Sequence, residues 1–73
     1  MHNKIELLEK FGKKIREERF KRGFSQEELA IRTGVHRTYI GMIERGEKNI
    51  TLINIKKIAK AFDLTIDKLL TNL

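Results

Sequence analysis

This chain contains no cysteine. A disulfide framework is therefore excluded, and so is a zinc site of the cysteine type. Histidine occurs only at His2 and His36, far apart, which gives no metal cluster. No apolar run approaches the roughly 20 residues that a membrane-spanning helix needs, and no signal peptide is visible. A soluble cytoplasmic protein is expected. Alternating apolar and polar runs joined by hairpin turns are missing, so strands find no support. There is no nucleophile beside a base, no paired acid and base, no phosphate loop and no metal set. Neither an enzyme nor a cofactor is expected.

What is present is short and charged. A chain of 73 residues is one small domain, 1–73, and hides only about 60% of its unfolded surface. It must pack regularly or gain stability by association. Its formal net charge of +6 favours a polyanionic partner. Acidic residues are mixed in, so the charge supports only a motif found on other grounds.

The motif begins with helix starts. A polar cap, with one apolar residue before it and another four positions later, recurs around Ser25 (Phe24, Leu29), His36 (Val35, Ile40), Thr51 (Ile50, Ile55) and Thr65 (Leu64, Leu69). Glu28 adds a capping box to Ser25. His36 is a poor cap, a residue type that usually sits at the surface and bonds through a ring nitrogen. Upstream, Ile5, Leu8, Phe11 and Ile15 form the stripe of an amphipathic helix that Gly23 ends. The pattern predicts an all-α fold, a compact five-helix bundle with helices at about 4–22, 26–33, 37–45, 52–62 and 66–71. Residues 1–3 read as a loose start. In the fourth helix Leu52, Ile55, Ala59 and Phe62 make the core stripe, with Ile58 flanking it and Ile53 well off it.

The second and third of these helices are joined by a very short turn. Gly34 stops the first of them by taking a left-handed conformation at no steric cost. So tight a turn fits a steep crossing with small Ala30 at the contact, which is the spacing of a helix-turn-helix. On a wheel of 3.6 residues per turn, Ile40, Ile43 and Glu44 share one side of the third helix. Arg37, Thr38, Gly41 and Arg45 share the other, with Tyr39 and Met42 on the flanks. An arginine can bond both major-groove acceptors of guanine, and a threonine can touch a thymine methyl. Gly41 reads either as a point of close approach to a base edge or phosphate, or as a tolerated surface glycine. Lys48 and Asn49, just beyond this helix, are well placed for a phosphate.

The stretch 26–46 resembles the phage-repressor (Cro/CI, also called Xre) type of helix-turn-helix. Within it, HRTYIGMIERGEKNITLINIKKIAKAF resembles the controller proteins of restriction-modification systems, which are small dimeric regulators. The resemblance covers about residues 11–70. It implies that Arg37 and Thr38 read bases and that Gln26, Tyr39, Lys48 and Asn49 contact the sugar-phosphate backbone. It also implies a pairing of Arg19, in the first helix, with Glu44, late in the recognition helix. Position supports that pair: both residues lie on inward faces, and either charge would be expensive to bury alone. Three residues depart from the family pattern. His36 stands where a better cap is usual, while Glu18 and Phe20 invert the usual order of an apolar residue before that arginine and a polar one after it.

The tail is rich in apolar side chains for a segment with so little chain left to cover it. A symmetric homodimer through the last two helices is expected, with Ile53, Ile66 and Leu73 as interface candidates, and the resemblance implies the same interface. A twofold dimer places two recognition helices about 34 Å apart, one turn of double-stranded DNA, on a pseudo-palindrome. Arg45 joins the backbone contacts in this arrangement. Tyr39 reads best as a phosphate contact; packing under the helix or pressing on a narrowed groove are its alternatives. Glu27 sits where some phage repressors present an acidic patch to RNA polymerase, a further candidate partner, although its charge also suits a helix N-terminus. Other functional readings are a phage-type repressor, the antitoxin of a toxin pair, and a protein-interaction bundle without DNA binding.

Overall fold

The computed structural model describes residues 4–73, and the expected loose start at residues 1–3 lies outside the described residues. Five α-helices follow in order: α1 Lys4–Lys21, α2 Gln26–Thr33, α3 Arg37–Glu44, α4 Leu52–Ala61 and α5 Ile66–Leu69. No strand occurs among the described residues. Four helices stop short of the expected ends, at Lys21, Glu44, Ala61 and Leu69. The residues beyond them lie in closing turns with three-residue hydrogen bonds, such as Arg22 N–H to Arg19 O (3.2 Å) and Thr71 N–H to Lys68 O (3.4 Å). Orphan carbonyls at a helix end are commonly satisfied in this way.

The helix starts follow the caps unevenly. Ser25 Oγ accepts from Glu28 N–H at 2.9 Å, and Thr51 Oγ1 accepts from Asn54 N–H at 3.2 Å. The Glu28 carboxylate, expected to complete a capping box, pairs instead with Arg32 Nε at 2.8 Å, one turn along the same helix. His36 holds the extended N-cap conformation with no side-chain cap bond. Thr65 makes no cap bond either. Its hydroxyl bonds Asp67, and that bond is the leading reason the Asp67 carboxyl sits below its usual range.

The core is built from all five helices. Ile15, Leu29, Ile40, Ile43, Ile58, Phe62 and Leu69 are fully buried. The stripe of α4 is rotated from the expected one: Leu52 is 68% exposed, whereas Ile58 is 1% exposed. Leu52 opens the helix in a turn that overhangs the core, so the buried set is centred on Ile58, Ala59 and Phe62. Ile5, 66% exposed, overhangs the core at the start of α1 in the same way.

α1 is the clamp that fixes α3. Gly12 lies against the carbonyls of Ile43 and Glu44, close enough that an added Cβ would come within 2.6 Å of Glu44 O. Gly46, just after α3, has φ +74°, and a Cβ there would lie 2.9 Å from Glu9 Cα. Its conformation lets Glu47 N–H reach back to Met42 O at 2.9 Å, which closes α3 in a Schellman-type turn. The end of α3 is thus pinned on one side by α1.

The inverted pair around Arg19 has a structural explanation. Glu18 is buried because it orients Arg22: Arg22 Nη1 donates to Glu18 Oε1 at 2.8 Å, while its Nε and Nη2 donate to Phe62 O at 3.1 and 2.6 Å. The guanidinium thereby satisfies a carbonyl at the C-terminus of α4, where positive charge is favoured. The Arg22 hydrogen bond also holds the Glu18 carboxyl below its usual range, against the opposite pull of burial. Phe20 is 60% exposed, and its ring is flanked by the guanidinium groups of Arg19 and Arg16 at 4.7 and 5.5 Å. Those contacts cover an aromatic face that water would otherwise meet.

Candidate nucleic-acid interface

α3 is short, and its two sides differ sharply. Ile40 and Ile43 are sealed in the core, at 0% and 1% exposure, while Arg37 and Thr38 are open to solvent. The hydrophobic staple does this locally. Half-buried Val35 packs against the core just before the helix and Ile40 one turn into it, so the first turn of α3 has one available rotation about its axis.

The angle of α3 depends on a charged knot beneath it. Arg19 Nε donates to Glu44 Oε2 at 2.7 Å and Arg19 Nη2 to Glu44 Oε1 at 3.0 Å, a two-pronged pair with side chains 8% and 4% exposed. Arg19 Nη1 also donates to Phe24 O at 2.9 Å. Gln26 Nε2 donates to Glu44 Oε1 at 3.1 Å. One carboxylate therefore ties α1, the start of α2 and the end of α3 together. Gln26 is half-buried, and part of its amide is engaged in this knot.

The remaining expected contact residues surround α3. Lys48 and Asn49 are exposed in the turn after it. Tyr39 is half-buried, and its hydroxyl oxygen accepts from Asn54 Nδ2 at 3.0 Å. The phenolic hydrogen is left directed elsewhere, so the group can still donate. Lys48 Nζ lies 5.9 Å from the Tyr39 ring centroid. Asn54, at the third position of α4, is a positioning residue that the sequence did not flag. No periodicity links it to Tyr39, because the two stand on different helices and meet only in the folded chain.

The Helix-turn-helix family model matches residues 13–69, well over half of the chain. The chain belongs to the helix-turn-helix family. Among its relatives, control protein C.BamHI of Bacillus amyloliquefaciens is 53% identical over 62 residues, covering 84% of this chain and 74% of that protein. Control protein C.SmaI of Serratia marcescens is 42% identical over 67 residues, covering 92% and 80%. The crystal structure of the restriction-modification controller protein C.AhdI from Aeromonas hydrophila superposes with a TM-score of 0.83 at 47% identity, covering 85% of this chain and 94% of that one.

In this helix-turn-helix, α2 is the supporting helix and α3 the recognition helix. One feature of α3 differs from the sequence expectation. Gly41 is not a bare spot on the outer stripe but buried. The Arg45 side chain folds back over it, with Nη1 3.1 Å from where a Cβ would stand, and Gln26 Oε1 lies 3.8 Å from the same point. The absence of a side chain at Gly41 makes room for a guanidinium. Arg45 is itself held in place by Glu47: its Nε and Nη2 donate to the two carboxylate oxygens at 3.0 and 3.1 Å.

This arrangement makes a prediction for Gly41→Ala. The atom in the way is the far end of a flexible side chain, so it can shift by a few tenths of an ångström. The helix interior then gains up to about 1 kcal/mol from replacing glycine. Thermal denaturation at fixed protein concentration should show a raised midpoint. A lowered midpoint would mean that Arg45 cannot move aside.

The expected dimer residues do not form one open patch. Ile53 is 70% exposed. Ile66 and Leu73 are half-buried and pack against the chain's own core, so only their outer parts face away from it. None of the described helices is long and apolar enough to cross a membrane.

Proposed function

We propose that this chain is a sequence-specific transcription regulator that binds double-stranded DNA as a homodimer on a pseudo-palindromic operator. We place it among the controllers of restriction-modification systems, acting in the cytoplasm and without enzymatic activity. The observation that carries the reading is the two-sidedness of α3: Arg37 and Thr38 stand open to solvent on a helix whose opposite side is locked into the core. In the proposed complex Arg37 and Thr38 read base edges. Tyr39, Lys48, Asn49 and Arg45 meet phosphates, which set register and supply salt-dependent affinity. Gln26 contributes through the part of its amide not engaged by Glu44. Gly41 serves the interface indirectly, as the bed of Arg45. The exposed side of Ile53 and the outer parts of Ile66 and Leu73 form the twofold interface. RNA polymerase is a candidate second partner, through exposed Glu27 in the first turn of α2.

Selection of bound sequences from a random DNA pool tests binding, half-site spacing and dimer symmetry together. Recovery of a twofold-symmetric sequence with half-sites one turn apart is expected, and recovery of no sequence at low salt sinks the reading. On the selected site, Arg37→Ala should lose about 1–3 kcal/mol, with a smaller loss on random DNA. Equal losses on both would place Arg37 among the phosphate contacts. Lys48→Ala should weaken all sequences alike and flatten the salt dependence by about 0.9 in log–log slope for each phosphate left without its cation.

A further inference from the structure

The pair formed by Arg45 and Glu47 sits at the edge of the recognition helix, on the face proposed to meet phosphate. Both side chains are largely in water, 58% and 52% exposed. Exposed pairs of this kind contribute little to stability, so the fold has no strong need of this one. Its geometry is nevertheless specific. The two oxygens of Glu47 occupy the Nε–Nη2 edge of the guanidinium at 3.0 and 3.1 Å. A phosphate group binds that same edge through two of its oxygens. The other edge of Arg45 lies over Gly41, beside Gln26, so the edge that Glu47 holds is the natural one for a phosphate. The carboxylate arrives from the chain's own turn, at a position fixed by Gly46 and by the bond from Glu47 N–H to Met42 O.

We propose that Glu47 is an internal phosphate mimic. It occupies the phosphate-binding edge of Arg45 in the free protein, and a DNA backbone must displace it. The inference rests on the DNA-binding reading above and deepens it by naming a residue that lowers affinity rather than raising it. Its consequence is a restraint on binding to arbitrary duplex. Arg45 offers no free cationic fork during a chance encounter, and the displaced Glu47 leaves a negative charge near the DNA backbone. The mutual influence of the two groups is consistent with this: Glu47 is held below the usual carboxylate range first by its hydrogen bond from Arg45, and Arg45 is raised by the same bond.

The test is a double-mutant cycle with Glu47→Gln and Arg45→Ala, read by titration of a random-sequence duplex over a range of salt concentrations. Glutamine keeps the size of the side chain and removes its charge. Glu47→Gln should bind random duplex about fivefold more tightly at 0.1 M salt, with a log–log salt slope steeper by about 0.9 per chain bound. In the Arg45→Ala background the gain from Glu47→Gln should fall to less than half. Weaker binding by Glu47→Gln would show that the carboxylate pre-organises Arg45 for DNA, and would overturn the proposal. Unchanged affinity and slope would also overturn it, as would a gain that persists in full without Arg45, which would assign the effect to the charge of Glu47 alone. If the unsubstituted chain shifts no DNA at all, the DNA-binding reading fails and the role of Glu47 goes with it. Binding by the unsubstituted chain without a gain in Glu47→Gln sinks the role of Glu47 only.

Discussion

Glu44→Ala should lower the stability of this protein by about 3 kcal/mol. The carboxylate accepts from Arg19 Nε and Nη2 and from Gln26 Nε2, and its side chain is 4% exposed. Removing it strands the Arg19 guanidinium, 8% exposed, with only the Phe24 carbonyl as a hydrogen-bond partner and no opposing charge among the described residues. An unpaired buried charge is costly because the interior cannot replace the water it has lost. For a domain of this size the loss corresponds to a fall in melting temperature of roughly 12–24 °C. Melting curves must be compared at one protein concentration, since association would add to the apparent stability. The double variant Arg19→Leu/Glu44→Leu should recover much of the loss, because a well-packed apolar pair can replace a buried ion pair at little cost. An unchanged midpoint for Glu44→Ala would show that Arg19 finds another partner or reaches water. The double variant also separates two roles of the knot. Recovery of stability without recovery of DNA affinity would mean that the charges set the angle of α3 and are not merely filling space.

Gly12→Ala should be almost as damaging, by about 2–3 kcal/mol. Here the cause is a backbone collision rather than a missing bond. A Cβ on Gly12 would lie 2.6 Å from Glu44 O and 2.8 Å from Glu44 C, and nearer still to Ile43 O. None of these atoms can turn aside as a side chain can, so α1 and α3 must separate. Separation opens the layer between Phe11, Ile15 and Ile43, which are all buried. Better helix propensity for alanine, about 1 kcal/mol, offsets only part of this. The contrast with Gly41 is a sharp control. Both glycines are buried within helices, but one faces carbonyls and the other a flexible guanidinium, so the same substitution should have opposite signs. Equal effects at the two sites would mean that the spacing of α1 and α3 is soft.

The two glycines also show where reading the sequence runs out. The helix-turn-helix itself follows from local chemistry: the cap at Ser25, the stop at Gly34, the staple of Val35 and Ile40, and apolar residues every three or four positions. The outward placement of Arg37 and Thr38 follows as well, because Ile40 and Ile43 leave α3 only one way to turn. The wheel put Gly41 on the side of Arg45, where it lies, but a wheel knows the helix axis and not the neighbouring side chain that folds back and covers it. It misplaced the stripe of α4 for a related reason. Leu52 fits the period, but the core ends before reaching it, and where a core ends is set by the other helices. Asn54 with Tyr39, and Arg22 with the Phe62 carbonyl at the end of α4, bring together residues far apart in the chain, and no local pattern announces such meetings.

The order of residues alone specified which segments coil, where each begins and which side of the recognition helix is dry, because caps, glycines and apolar spacing act over a single turn of chain. Folding was needed to settle how closely α1 approaches α3, which guanidinium each carboxylate holds, and which apolar side chains are left uncovered. Those outcomes depend on distances between helices, and such distances emerge only when every side chain competes for the same enclosed space.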